Sequence, residues 1–360
     1  LVDQLPFVAV LGASGTGKSS LVKAGVLPRL QTARSPEAER GGGDVGYQSY
    51  HVLPPMRPGD QPVQSLTALL RVEPGEDAVS LADGCDALSQ FVARWAVVHP
   101  GQRLVLTIDQ FEEMVTLCRD DDERQYFLRL LAAAIQGQPD VFRLIVTVRS
   151  DFEPQFTQNE QDKPGPLADI WQSARYVVPP MDIEDLRQVI EGPAAVRVLY
   201  FDPPELVDDL IKEVVQTPGA LPLLSFTLSE LYVKYVRSGR DDRALTGTDY
   251  QALGGVVGSL RNRATEEHDS LPDDAHRATM QRVMLRMVAV GGGELARRRV
   301  TLSELDYPTA QEDERVKTVL DRLVDARLLV RGSGENADGT ESEGYIEPAH
   351  DALVLAWDKL

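Results

Sequence analysis

Between five apolar residues, Phe7–Leu11, and a helical pattern beginning at Ser20 lies Gly12-Ala13-Ser14-Gly15-Thr16-Gly17-Lys18-Ser19, a full match to GxxxxGK[ST]. Few short stretches restrict a fold as much. The apolar run asks for burial on both faces, as in a central strand of a parallel sheet. The glycines let the backbone curl until successive N–H groups face one concave anion site. In this pattern Lys18 reaches the β- and γ-phosphates of a nucleotide. The Ser19 hydroxyl ligates Mg²⁺, and the helix that follows points its positive end at the phosphates. Gly12, Ser14, Gly15, Thr16, Gly17, Lys18, Ser19 and Ser20 are therefore the expected phosphate-binding residues.

Further β-branched runs follow at Tyr47–Leu53, Leu104–Ile108, Leu144–Val148 and Arg175–Val178. A turn at Arg57-Pro58-Gly59-Asp60 follows the first of these, and a helical stretch, Asp122–Gln136, falls between the second and third. The helix that begins at Ser20 is expected to stop near Pro28. Strand and helix in alternation imply right-handed βαβ units and a three-layer α/β domain over residues 1–180. After Pro179-Pro180 the spacing becomes helical to about Leu260, broken at Gly192-Pro193, Pro203-Pro204 and Pro218-Gly219. Residues 181–268 thus read as an all-helical bundle. From 269 to 360 the pattern is a helix Met280–Val290, three glycines, a helix Glu312–Ala326 and a strand Leu328–Val330. A polar hairpin, a return strand Tyr345-Ile346 and a last helix from about Asp351 complete it. Helices followed by a two-stranded wing suggest a winged-helix domain. Ser35–Gly46 and Gly332–Gly344 are poor in apolar residues and read as loops.

Leu104–Ile108 ends in Asp109, an acid at the carboxyl end of a buried strand, placed to hold Mg²⁺ opposite Ser19. The alternative is a helix N-cap, since Asp109 precedes helical Phe111–Leu117; the upstream loop favours the metal. Glu113, or Glu112 beside it, can orient an attacking water as general base. Either can also be a first-turn acid that complements the helix dipole. Arg149 ends the strand Leu144–Val148 and is placed to sense a γ-phosphate, unless it pairs with Asp151 or Glu153.

The chain of 360 residues has a formal net charge of −19. Such a surface repels nucleic acid and anionic lipid, so neither is an expected partner. The one basic cluster, Arg297-Arg298-Arg299, is flanked by acids and reads as an internal ion-pair or phosphate-sensing group. Cys85 and Cys118 show neither short spacing nor neighbouring histidines; two small buried thiols and a reducing, cytoplasmic compartment follow. No apolar run approaches the roughly 20 residues of a membrane span. The opening Leu1-Val2-Asp3-Gln4-Leu5 lacks the marks of a signal peptide and resembles a cut just upstream of a strand.

Five segments occur in order: GASGTGKSSLVKAGVLPRL, LTIDQFEE, TVRSDF, GALPLL and AHDALVLAW. Together they resemble the bacterial novel STAND NTPase domain, of the signal-transduction ATPases, over nearly the whole chain. The resemblance implies a P-loop NTPase sheet of AAA+/STAND type, a helical lid and a winged-helix domain. It also implies an ATP/ADP switch with slow hydrolysis that opens and forms homo-oligomers. An effector on the N-terminal side and a repeat-type sensor on the C-terminal side are implied in the same way. Gly219-Ala220-Leu221-Pro222 matches the family's GxP motif, whose proline packs on adenine; a helix that simply starts at a proline would look identical. His350-Asp351 matches a His-Asp pair whose histidine contacts the β-phosphate of ADP. Without the resemblance, His350 reads as a cap or a satisfied core group. Gln110 departs from the glutamate many related ATPases carry after the metal acid, which puts efficient hydrolysis in question. No NKxD motif is present to read guanine.

Overall fold

The computed structural model describes residues 1–32, 49–71, 80–157, 165–216, 219–291, 294–307, 309–332, 344–350, 353–354 and 357–360. The expected loop 35–46, all but the ends of the loop 332–344, and residues 351–352 and 355–356 of the expected last helix lie outside the described residues. The rest forms two compact units that divide between Pro179 and Pro180.

The first unit is built on five parallel strands: β1 (Phe7–Gly12), β2 (Ser49–Val52), β3 (Gln102–Ile108), β4 (Phe142–Arg149) and β5 (Arg175–Val177), in the order β2-β3-β4-β1-β5. Successive side chains on a strand point to opposite faces, and each face here has its own core. Phe7, Ala9, Leu11, Leu104, Leu106, Ile108, Leu144, Val146 and Val148 face one side. There they meet Phe91 and Trp95 of the helix Ala87–Val98, Phe127 and Leu131 of the helix Asp121–Gly137, and Trp171. Val8, Val10, Val105 and Ile145 face the other side, against Val22, Leu27 and Leu30. Continuous apolar strands covered on both faces are what a three-layer α/β unit requires. The register sets Gly12 beside Arg149 and Ile108 beside Val146. The carboxyl ends of β1, β4 and β3 therefore lie side by side, the edge where open α/β sheets bind ligands.

The helical run after β1 does not stop near Pro28. It continues from Lys18 to Thr32 as a short α turn, a π segment over Leu21–Val26 and an α segment Leu27–Thr32. The Leu27 N–H bonds the carbonyl of Val22, five residues back. Pro28, which has no N–H to give, sits where the ladder has just changed step.

The second unit begins with a capping box: Asp182 accepts from the Asp185 N–H, and the Asp185 carboxylate accepts from the Asp182 N–H. The helix this starts, Ile183–Val196, runs through Gly192-Pro193 instead of breaking there. Leu186, Ile190 and Ala194 keep its inner face in the core, and the missing proline N–H falls in the last turn. Helices Leu206–Gln216, Leu221–Ser238 and Gly255–Asp269 follow. The segment is not all-helical, because β6 (Tyr200–Asp202) pairs in parallel with β7 (Ala244–Thr246). Next come a helix Asp274–Arg286 and an antiparallel pair, β8 (Val288–Gly291) with β9 (Glu294–Arg297). The helix expected to reach Val290 thus ends earlier. β10 (Val300–Thr301), β11 (Leu329–Gly332) and β12 (Tyr345–Pro348) form an antiparallel sheet in the order β10-β12-β11, with the helix Ala310–Asp325 preceding β11. One core joins these parts, from Leu186 to Trp357.

Candidate nucleotide-binding site

Gly12 ends β1, and the loop that follows is shaped by its glycines. Gly15 and Gly17 have φ of 75° and 86°, a left-handed backbone that side chains disfavour. A Cβ on Gly12 would lie 2.6 Å from Thr16 Oγ1. Lys18 is buried, and its Nζ donates to the carbonyls of Gly12 (2.9 Å) and Ala13 (2.8 Å), closing the loop on itself. Thr16 Oγ1 also donates to Ala13 O, at 3.0 Å. Burial lowers the Lys18 pKa, opposed chiefly by the carboxylate of Glu112. Ser14, Gly15, Thr16, Gly17 and Ser19 are half-buried and Ser20 is exposed, so the loop is open to a ligand.

Asp109 follows β3 and is only 1% exposed. Its Oδ1 accepts from Ser19 Oγ (2.6 Å) and from Thr147 Oγ1 of β4 (2.6 Å), while Oδ2 pairs with Lys23 Nζ at 2.6 Å. Burial pushes the Asp109 carboxyl up, but the donors Lys23, Ser19 and Thr147 outweigh it and hold the pKa below the ordinary value. Ser19 and Asp109, ninety residues apart, thus meet through a direct hydrogen bond. Asp109 caps no helix; Glu112 occupies the N-cap of the short helix Glu113–Thr116. Between them Gln110 adopts φ 56°, uncommon for a residue with a side chain. Its N–H donates to Thr147 Oγ1 at 2.9 Å, and the Phe111 N–H to Thr147 O at 2.9 Å. One threonine therefore fixes both the carboxylate and the turn after it.

The two glutamates part company. Glu112 Oε2 accepts from the Arg149 N–H at 3.3 Å, and Lys18 and Arg149 are the cations that act on it. Burial raises its pKa above the ordinary carboxylate value, against the pull of those cations. Glu113 is buried with Oε1 3.7 Å from Arg57 Nη1. The sequence prefers Glu113 over Glu112 as base; here Glu112, at the N-cap, has Lys18 and Arg149 acting on it, while Glu113, in the first turn, has Arg57 beside it. The Arg149 guanidinium makes a two-pronged pair with Asp151, at 3.1 and 2.7 Å, and lies 5.2 Å from the Phe152 ring centre. That is the alternative partner the sequence offered.

Pro222 lies in the first turn of the helix Leu221–Ser238, after Gly219 with φ 73°. The imidazole of His350 meets the Phe226 ring edge-on at 6.3 Å. Both residues belong to the second unit. The basic cluster is engaged within that unit: Arg297 donates to the carbonyls of Pro348 and Ala349, Arg298 pairs with Glu304, and Arg299 lies 3.9 Å from the Tyr345 ring centre and 3.6 Å from Glu347. Cys118 is buried as expected, whereas Cys85 is half-exposed; both are free thiols. Among the described residues no helix is long and apolar enough to cross a membrane.

Thr147 and Lys23 were not singled out from the sequence. Lys23 carried a signal, since it falls four residues after Ser19 and so on the same helix face. Thr147 is the lone polar residue of the apolar run Leu144–Val148, and only the pairing of β3 with β4 gives it a partner.

A parallel sheet, a glycine loop closed by a buried lysine and a serine bonded to the acid of a nearby strand define a nucleotide-binding P-loop NTPase. The model of the family Novel STAND NTPase 1 matches residues 1–360, and the chain belongs to that family. No curated protein matches it. Among solved structures it is similar to the ORC2 protein of Aeropyrum pernix in ADPNP and ADP complexes, with 15% identity, a TM-score of 0.48, and coverage of 96% of this chain and 84% of that one. A Walker-type ATPase of Pyrococcus abyssi gives 16%, 0.39, 97% and 90% in the same order. The RuvB Holliday junction branch migration motor of Thermotoga maritima gives 14%, 0.35, 94% and 84%. Likenesses this loose carry no functional argument.

Proposed function

We propose that the chain is an ATP/ADP switch in a signalling or defence protein. The observation that carries this reading is the meeting of Ser19, Asp109 and Thr147 beside a loop closed by Lys18. The amides of residues 12–19 and Lys18 hold the phosphates. The donor set suits Mg²⁺: a hydroxyl and one buried carboxylate are both hard oxygen ligands, and the carboxylate already draws a cation in Lys23. Among the described residues no cluster of three acidic, histidine or cysteine side chains offers a protein-only cage. That fits an ion held by one carboxylate together with substrate phosphates. Ser19 and Asp109 would hold it, and it would neutralise charge on the β- and γ-phosphates.

Glu112, with its raised pKa and with Lys18 and Arg149 acting on it, serves as the general base that orients a water, while Glu113 stays against Arg57. Arg149 senses the γ-phosphate after leaving Asp151. Pro222 packs on adenine and His350 contacts the β-phosphate of ADP, which holds a resting form. Residues 1–180, 181–268 and 269–360 act as nucleotide domain, helical lid and winged-helix domain. Exchange for ATP shifts the population to an open form that assembles into homo-oligomers, and slow hydrolysis resets it. Effector and sensor domains lie outside this sequence, in the cytoplasm. The rival role, a DNA-binding winged-helix regulator, gains nothing from an arginine cluster whose guanidiniums bond within their own unit.

Mass analysis of nucleotide released from purified protein tests the reading: ADP should be recovered, and His350→Ala should release it at least about fivefold faster, the low end of a typical coupling. Protein that carries and binds no adenine nucleotide would overturn the switch, and an unchanged ADP off-rate would remove the histidine from it.

A further inference from the structure

Asp109 has two oxygens and three donors, divided unevenly. Oδ1 takes the neutral hydroxyls of Ser19 and Thr147, each at 2.6 Å. Oδ2 takes the ammonium of Lys23 at 2.6 Å. Lys18, the other lysine of the loop, is bonded to the carbonyls of Gly12 and Ala13. The two lysines therefore divide the work: one is set in the phosphate loop, the other on the metal carboxylate.

Lys23 is also the more exposed member of its pair with Asp109. Its side chain is 42% exposed, against 2% for that of Asp109. It rises from the π segment Leu21–Val26, an arrangement that often marks functional sites in helices. An ammonium on a four-carbon stem can withdraw to water at little cost; a buried carboxylate cannot follow it. A carboxylate stripped of every cation in such a place would be destabilising.

Resting on the nucleotide-binding reading, we propose that Lys23 is a resident countercation of Asp109, holding the carboxylate in place without a divalent ion and competing with Mg²⁺ for it. Lys23 is then a positioning residue. It lets the protein keep a nucleotide without metal, because it offsets the repulsion between Asp109 and the phosphates. It also raises the concentration of Mg²⁺ needed to fill the site.

The test is equilibrium titration of the full chain with a fluorescent ADP analogue, in EDTA and in rising free Mg²⁺. Lys23→Met should weaken metal-free binding and lower the half-saturating Mg²⁺, each about three- to fivefold, the upper end for a pair of this exposure. Lys23→Arg, which keeps the charge, should stay near wild type in both. Should Lys23→Met not fold by circular dichroism, Lys23→Gln removes the charge and keeps a hydrogen bond. Wild-type values for both quantities in a folded, uncharged variant would overturn the proposal. Binding of Mn²⁺ alone, read by electron paramagnetic resonance, separates it from the nucleotide reading. If the wild type binds no nucleotide, that reading fails, while tighter Mn²⁺ binding by Lys23→Met still supports the countercation and unchanged Mn²⁺ binding sinks it.

Discussion

Thr147→Val tests the site's construction through a single hydroxyl. Thr147 is buried, and its Oγ1 donates to Asp109 and accepts from the Gln110 N–H. Valine nearly preserves the volume and removes both bonds. A hydrogen bond to a charged group is worth about 1.5–3 kcal/mol, and an amide left without its partner costs about 1–3 kcal/mol. With part of that recovered by relaxation, the loss should be about 3 kcal/mol. In a unit of this size 1 kcal/mol moves the unfolding midpoint by about 2–4 °C, so the midpoint should fall by about 6–12 °C. Intrinsic fluorescence reports this well: of the three tryptophans, Trp95 and Trp171 are buried in the first unit. Thr147→Ser, which keeps the hydroxyl, should lose much less.

The same variant has a signature in acid. The Asp109 carboxyl is held below its ordinary value of 3.8, so the folded state binds its proton more weakly than the unfolded chain does. Its contribution to stability is full above that value and is lost as pH falls through the lower folded one. Removing one of the donors responsible should raise the folded pKa and shrink this contribution. A midpoint within about 2 °C of wild type, roughly the shift for 1 kcal/mol or less, would refute the claim that Thr147 holds the acid and its turn.

Glu112→Gln should cut hydrolysis, measured as phosphate release, by about 10²-fold or more while nucleotide binding persists, and Glu113→Gln should lower the unfolding midpoint more than the rate. Equal rate losses in both would contradict the assignment of the base. Gln110→Gly should relieve the left-handed backbone at φ 56° and stabilise by up to about 1 kcal/mol. A lower midpoint for that variant would mean that the glutamine side chain matters more than its backbone strain.

Much of this unit was legible because its strands are buried on both faces. The apolar runs at β1, β3 and β4 could be little else, and the glycine pattern fixed what lay between β1 and its helix. The order of the strands was not legible: that β4 lies between β1 and β3 is a property of pairing, and with it went the role of Thr147. Helix ends failed where two tendencies compete. Val288 and Val290 continue an apolar pattern that reads as helix, yet as β-branched residues ahead of a glycine run they suit a strand. Pro28 and Pro193 read as breaks in the sequence, yet the core residues around them, Leu27 and Leu30, Ile190 and Ala194, hold both helices together across them. β6 and β7, three residues each, are too short to show alternation. The two glutamates could not be separated by spacing, because which cations each one faces depends on the turn at Gln110.

Calorimetric titration of Mg²⁺–ATP into the wild-type chain and into Lys18→Ala bears most directly on the claim that residues 12–19 grip a polyphosphate. The wild type should give one saturable site, and the variant should show no measurable binding. Equal isotherms for the two proteins, or none for the wild type, would contradict the account.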